Sequence, residues 1–343
     1  MVKLCGLILN QAKKILVIGP SWVGDMVMAQ SLFIAIKKQN PDCQIDVLAP
    51  AWTLSLLERM PEVSERISMP VGRGQFGLTQ RFQLGRKLKQ SEYQQAIVLP
   101  NSWKSALIPF FAEIPLRTGY IGEMRWGLLN DARKLDKTVL TMTVQRFVAL
   151  ADQRKLELPL EYSSPALQVN QKAVIKTVEK FQLSTEKKIL ALCPGAEYGQ
   201  AKRWPAVHFA EVANQKISEG WQVWLFGSEK DKAVAAEINL KTENQCHDFS
   251  GLTTMAEVID LMSLAKAVVS NDSGLMHVAA ALDKKLVAIY GSSDPKFTPP
   301  LNEKATIISL DLSCSPCFAR ECAFGHYHCL TKIAPEQVLS KME

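Results

Sequence analysis

The chain has 343 residues, 47 % hydrophobic and 22 % charged, a balance that favours two globular domains and excludes a long disordered or low-complexity protein. No apolar run reaches the roughly 18 residues that span a bilayer, and residues 1–10 lack the length and cleavage site of a secretory signal, so a chain that stays in the cytosol is expected. The formal charge of +6 is gathered in residues 71–137, where eleven Lys/Arg face five Asp/Glu, a field suited to phosphates, anionic lipids or nucleic acid, or simply a solvated basic face.

Residues 2–11 have weak apolar character and read as a frayed or accessory start. Lys14-Ile15-Leu16-Val17-Ile18-Gly19 is a continuous apolar run ending in Gly, the pattern of a strand buried on both faces of a parallel sheet, and a helix follows from about Asp25. Between them, Gly19-Pro20-Ser21-Trp22-Val23-Gly24-Asp25 has the spacing of a phosphate loop. Asp25-Met26 stands where ATP hydrolysis needs Lys and Ser/Thr, and Ser21 replaces the second Gly of a dinucleotide fingerprint. The turn therefore delivers one carboxylate to a strand end. Asp25 either caps the helix or serves as a general base within reach of a reacting hydroxyl.

Residues 45–49 and 96–99 repeat the strand pattern, with helical stretches near Ser55 and Leu84. Residues 158–165 carry two prolines and no helical period, as an exposed inter-domain linker would. A boundary near residue 168 divides the chain into domains 1–168 and 169–343.

Strands restart at residues 188–193, 222–227, 267–270 and 286–290, so the second half is another α/β unit with a doubly wound parallel sheet. After the first comes Cys193-Pro194-Gly195-Ala196-Glu197, then Lys202-Arg203-Trp204-Pro205, with Pro205 expected at the first helical position. Gly195 permits close backbone approach and Lys202 and Arg203 offer cations, which makes either a diphosphate seat or a merely basic loop. Phe226-Gly227-Ser228-Glu229-Lys230-Asp231 places carboxylates where ribose hydroxyls bind in nucleotide folds, or is an ordinary helix start. Ser270-Asn271-Asp272-Ser273-Gly274-Leu275-Met276-His277 turns from strand to helix, and its small residues leave backbone N–H groups open to a phosphate. Asp272 opposes an anion there and suits sugar hydroxyls. His277 either orients Asp272, reaches a phosphate, or is structural.

Cys314, Cys317, Cys322 and Cys329 fall within 16 residues in the spacing C-x2-C-x4-C-x6-C, with His326 and His328 among them. A structural zinc site, reduced thiols, and disulfide or redox use all remain open. Cys5, Cys43, Cys193 and Cys246 are scattered singly, like buried thiols of a reducing compartment.

Five motifs in order carry a resemblance from about residue 13 to about residue 305: the loop 19–25, Leu99-Pro100-Asn101-Ser102-Trp103-Lys104-Ser105, residues 194–197, residues 202–205, and residues 271–277. The set resembles the ADP-heptose:lipopolysaccharide heptosyltransferase II group of glycosyltransferase family 9. The resemblance implies a GT-B fold, two Rossmann-like domains facing a central cleft, with the acceptor held by the first and the nucleotide-sugar by the second. It implies inverting transfer of L-glycero-D-manno-heptose from an ADP-heptose donor to the first heptose of a Kdo-lipid A inner core. By position it makes Asp25 the base and assigns Gly195, Lys202, Glu229, Asp272, Ser273, Gly274 and His277 to the donor. Lys104 and Arg125 become candidates for an acceptor phosphate or carboxylate. Inverting transfer needs one enzymic base, so no metal or other cofactor is expected, and no nucleic-acid partner. Work on a lipid-linked acceptor implies transient contact with the cytosolic face of the inner membrane. The rival readings are a nucleotide-sugar epimerase of the same layout and a non-catalytic nucleotide-sugar-binding protein.

Overall fold

A computed structural model describes residues 13–72, 74–151 and 160–342. The start 1–12 with Cys5, and Leu158 and Pro159 of the expected linker, lie outside the described residues.

Twelve parallel strands form two six-stranded sheets among these residues. The first holds β1 (Lys14–Ile18), β2 (Gln44–Ala49), β3 (Glu65–Ser68), β4 (Gln95–Val98), β5 (Leu116–Tyr120) and β6 (Asp131–Arg133). The second holds β7 (Ile189–Cys193), β8 (Gln222–Leu225), β9 (Cys246–Asp248), β10 (Ala267–Asn271), β11 (Lys285–Tyr290) and β12 (Ala305–Ser309). The spatial order is β3-β2-β1-β4-β5-β6 and β12-β11-β10-β7-β8-β9, so each half carries the same dinucleotide-fold order when its own strands are counted. The order reverses beside β1 and β4 in one sheet and beside β7 and β10 in the other. At those points, beyond the strand carboxyl ends, such folds bind ligands.

The strands expected from apolar runs are all present. Five others were silent in the sequence, and four of these (β3, β6, β9 and β12) are the outermost strands of their sheets. An outer strand has one neighbouring strand and is less enclosed than an interior one, so sequences such as Glu65-Arg66-Ile67-Ser68 and Asp131-Ala132-Arg133 fold there without an apolar run. The fifth, β5, is interior but interrupts its apolar residues with Arg117 and Gly119.

Helix Val23–Gln39 joins the two halves. Its residues 26–33 are buried throughout, against the first sheet on one side and against helices Gly274–Ala281 and Thr143–Val148 on others. Met26 and Leu32 thus share one apolar cluster with Met276 and Val278 of the second half. Away from the cleft, Arg59 donates to Asp260 at 2.6 Å in a buried ion pair between the halves. Of the expected linker, Glu161, Ser163 and Ser164 are exposed, and the chain is tied down at its end. The Leu167 N–H donates to the Ala281 carbonyl at 2.9 Å, the Gln168 N–H to the Arg59 carbonyl at 2.8 Å, and the Ser31 hydroxyl to the Ser163 carbonyl at 2.7 Å. Its backbone is stitched to both halves.

Candidate active site between two helix N-termini

The loop leaving β1 is held by the Gly19 N–H, which donates to the Leu48 carbonyl at 2.9 Å; a Cβ on Gly19 would lie 2.6 Å from Met26 Cε. Trp22 occupies the N-cap of helix Val23–Gln39, and Asp25 falls in its first turn. The carboxylate therefore is not the capping residue. Burial pushes the Asp25 pKa up to about 6, with Lys202 pulling it down and Asp272 pushing it further up. Those two influences come from the other half of the chain.

Asp272 is 4 % exposed and follows β10 directly. Lys202 Nζ and Ser293 Oγ both donate to its Oδ2. Asn271 beside it locks the neighbouring loop: its amide donates to the Pro194 carbonyl at 2.7 Å, and its Oδ1 accepts from the Trp204 N–H at 3.0 Å. Both ends of loop 194–204 are thereby tied to β10. Lys202 reaches Asp272 across the face of Tyr198, 5.1 Å from the ring centre.

Ser273 is the N-cap of helix Gly274–Ala281, its hydroxyl 3.5 Å from that of Ser270. This N-terminus meets the one carrying Asp25. A Cβ on Gly274 would lie 2.8 Å from Val23 Cβ, and a Cβ on Gly24 would lie 2.6 Å from Cδ2 of His277. The two glycines let the helices approach closely enough for both N-termini to face one space. His277, 5 % exposed, rests against Gly24, and burial pulls its pKa down to about 4 even though Asp272 favours the charged ring. It is neutral at pH 7.

Gly24→Ala tests this apposition. The new methyl group has to displace the His277 ring, and a shift of about 1 Å at a reacting centre costs on the order of 100-fold in rate. A drop of 10- to 100-fold in kcat is expected, with unchanged far-ultraviolet circular dichroism. Parent-like kcat would mean that the contact has no bearing on the site.

The remaining expected residues are placed unevenly. The space that a Cβ of Gly195 would need is filled by the Asp231 carboxylate, 2.4 Å away. Asp231 also accepts from Ser228 N at 2.9 Å, Ser228 Oγ at 2.7 Å and Arg203 at 3.2 Å. This carboxylate was not singled out from sequence, although Ser228 three residues before it is a recognisable capping pair. Glu229 stands at the rim, 72 % exposed and paired with Lys232 at 2.8 Å, next to Gly251. Ser293 was also missed; its only signal is the small-residue turn Gly291-Ser292-Ser293 after β11. Pro205 is the N-cap of helix Ala206–Ser218, one residue before the expected position.

Lys104 lies half-buried in the short 3-10 helix Trp103–Ala106 of the first half. Arg125, the other candidate for an acceptor phosphate or carboxylate, is buried. It is 3 % exposed, and its guanidinium donates to the carbonyls of Pro100, at 2.7 Å, and Tyr120 and to Asn101 Oδ1 at 3.4 Å. Those bonds brace the loop after β4 through both terminal nitrogens, while the buried Nε has no hydrogen-bond partner among the described residues. Cys314, Cys317, Cys322 and Cys329 are free thiols, and among the described residues no three His, Cys, Asp or Glu side chains converge as a metal site. Cys322 Sγ lies 3.9 Å from His326 Nδ1, and the His326 ring stacks on His328 at 4.0 Å.

Residues 81–328 match the model of glycosyltransferase family 9 (heptosyltransferase). The chain is 49 % identical to lipopolysaccharide heptosyltransferase 2 of Salmonella typhimurium over 96 % of its length and 97 % of that protein's. It is 46 % identical to lipooligosaccharide heptosyltransferase 2 of Haemophilus influenzae, with 96 % and 98 % covered. Its fold superposes on the solved ADP-heptose lps heptosyltransferase II of E. coli with a TM-score of 0.84 at 46 % identity, covering 96 % of this chain and 97 % of that one.

Proposed function

The chain belongs to glycosyltransferase family 9, the heptosyltransferases, and on that premise we propose that it transfers heptose from ADP-heptose to the inner core of lipopolysaccharide with inversion, the acceptor being the first heptose on Kdo-lipid A. The observation that carries the mechanism is the apposition of the two helix N-termini, Gly24 against His277 and Gly274 against Val23, which brings Asp25 of one half within electrostatic reach of the Lys202–Asp272 pair of the other. An acceptor hydroxyl attacks the anomeric carbon from the face opposite ADP. Asp25 takes the hydroxyl proton as the new C–O bond forms, and the bond to the β-phosphate oxygen breaks. Lys202 and the N–H groups at Ser273 and Gly274 spread the charge that develops on ADP.

Asp272 has two tasks in this scheme. Before the donor arrives it holds Lys202, and afterwards it accepts from sugar hydroxyls while Lys202 turns to the diphosphate. Glu229, at the end of β8, takes the ribose from the rim, Gly195 lines the donor seat, and His277 stays neutral against Gly24 beside the sugar. Residues 169–343 form the donor domain and residues 1–168 the acceptor domain, with Lys104 reaching an acceptor phosphate or carboxylate. An epimerase of this layout would convert ADP-heptose without an acceptor, so incubation with donor alone separates the two readings. Unchanged donor is expected; a new heptose epimer would sink the transferase reading.

The acceptor is lipid-linked, and the first half bears a surface suited to anionic membranes. No helix among the described residues is long and apolar enough to cross a membrane. Phe76, Phe82, Trp103, Met124 and Trp126 are exposed within the same stretch that carries the excess positive charge. The Phe76 ring packs tilted against Trp103 at 5.1 Å between centres, and the Trp103 backbone N–H donates to Glu123 at 3.0 Å, which draws the Met124–Trp126 loop alongside. Aromatic rings among basic side chains favour the headgroup region of acidic lipids. Met124→Ser with Trp126→Ser should lower cosedimentation with phosphatidylglycerol vesicles about tenfold, since both side chains are largely exposed here and would be buried there. Unchanged cosedimentation would move the membrane contact elsewhere.

A further inference from the structure

The cysteine-rich segment packs directly onto the donor side of the cleft. Ser315 Oγ donates to the Gly291 carbonyl at 2.7 Å, and the N–H groups of Cys317 and Phe318 donate to the Ser292 carbonyl at 3.0 and 2.6 Å. On its other side the Tyr198 hydroxyl donates to the Phe318 carbonyl at 2.5 Å, and the Ala201 N–H to the Arg320 carbonyl at 2.9 Å. Gly199 fits only because it lacks a Cβ, which would lie 2.4 Å from the Arg320 carbonyl oxygen. The segment therefore staples together two loops, one carrying Lys202 and the other Ser293, whose side chains meet on Asp272.

The same staple delivers a second cation. The Arg320 guanidinium lies over the Tyr198 ring at 5.3 Å, and the Lys202 ammonium lies over that ring at 5.1 Å. Arg320 is exposed and has no carboxylate partner among the described residues, whereas Lys202 is held by Asp272. A guanidinium that lies over a ring and is not paired with a carboxylate keeps N–H donors available, and its fork can recognise phosphate oxygens in pairs. A diphosphate brings two charges to a seat where Lys202 alone is already shared.

We propose that Arg320 is the second cation of the donor diphosphate seat, held there by the cysteine-rich segment through Tyr198 and the Gly199–Ala201 turn. This rests on the ADP-sugar reading above and adds a residue from outside the motifs that support it.

The test is calorimetric titration of ADP and of adenosine into the parent, Arg320→Gln and Arg320→Lys, with donor kinetics alongside. Arg320→Gln should bind ADP about tenfold more weakly, the loss of one charge-assisted phosphate contact, while adenosine binding is unchanged. The KM for donor should rise with it, kcat should fall as the leaving diphosphate loses a charge partner, the KM for acceptor should stay within about twofold, and Arg320→Lys should recover only part of the loss, since an ammonium keeps the charge but not the paired contact. Parent-like ADP affinity in Arg320→Gln overturns the proposal, as does equal weakening of ADP and adenosine. A parent chain that binds neither ADP nor ADP-heptose would instead refute the donor reading itself.

Discussion

Asp25→Asn is expected to lower kcat by about 100- to 10,000-fold while leaving donor affinity within a few-fold of the parent, because the amide fills the same space and cannot take the acceptor proton. The pKa of about 6 gives this prediction a pH signature. A base works when deprotonated, so the parent's kcat/KM should rise with pH up to about 6 and then level off, and the residual activity of the variant should lack that limb. Retention of near-normal kcat would remove Asp25 from the chemistry.

The same shift makes a statement about stability. The folded carboxyl binds its proton more tightly than an unfolded Asp near 3.8, so the native state holds more protons between about pH 4 and 6, and stability falls as pH rises through that window. A shift of about two pH units corresponds to at most about 3 kcal/mol. Asn carries no such penalty. Asp25→Asn should therefore melt at a higher temperature than the parent above pH 6, with the difference vanishing below about pH 4. Coincident melting curves across the whole range would mean that the carboxylate is not held in the environment described.

Lys202→Met should damage both folding and binding. It leaves Asp272 buried with Ser293 as its remaining side-chain donor, and an uncompensated buried charge costs about 3–5 kcal/mol. Urea unfolding should show that loss in the midpoint with an unchanged slope. Adding Asp272→Asn removes the stranded charge, so Lys202→Met/Asp272→Asn should regain most of the stability but not ADP binding, which loses its ammonium in both. If the single variant unfolds at the parent's urea concentration, the pair has no structural weight. If the double variant binds ADP normally, Lys202 is not part of the donor seat.

The parts of this site that were legible in the sequence share one physical trait. Loops 19–25, 194–197 and 270–274 each follow an apolar run that can only be a buried strand, and a turn at such a point has to open towards the cleft. The pairing of Lys202 with Asp272 was not legible, because the two are seventy residues apart and meet only when β7 and β10 lie side by side. The surroundings of Arg125 were not legible either, because nothing in its basic stretch signals that the carbonyls of Pro100 and Tyr120 accept from its guanidinium. Gly24 and Gly274 drew notice as turn residues, yet what they permit is contact between helices of opposite halves. The cysteine cluster was read for what its sulfurs bind, while the structure draws attention to what its backbone holds: two donor loops and Arg320.

The most direct test of the account is the product formed when the purified chain receives ADP-heptose together with a Kdo-lipid A core bearing a single heptose. Mass spectrometry and the anomeric proton coupling of the product should show one added heptose, with the configuration at its anomeric carbon opposite to that in the donor, and release of one ADP for each transfer. Donor consumed without any change in the acceptor, or a product that retains the donor's configuration, would contradict transfer by a single base at Asp25.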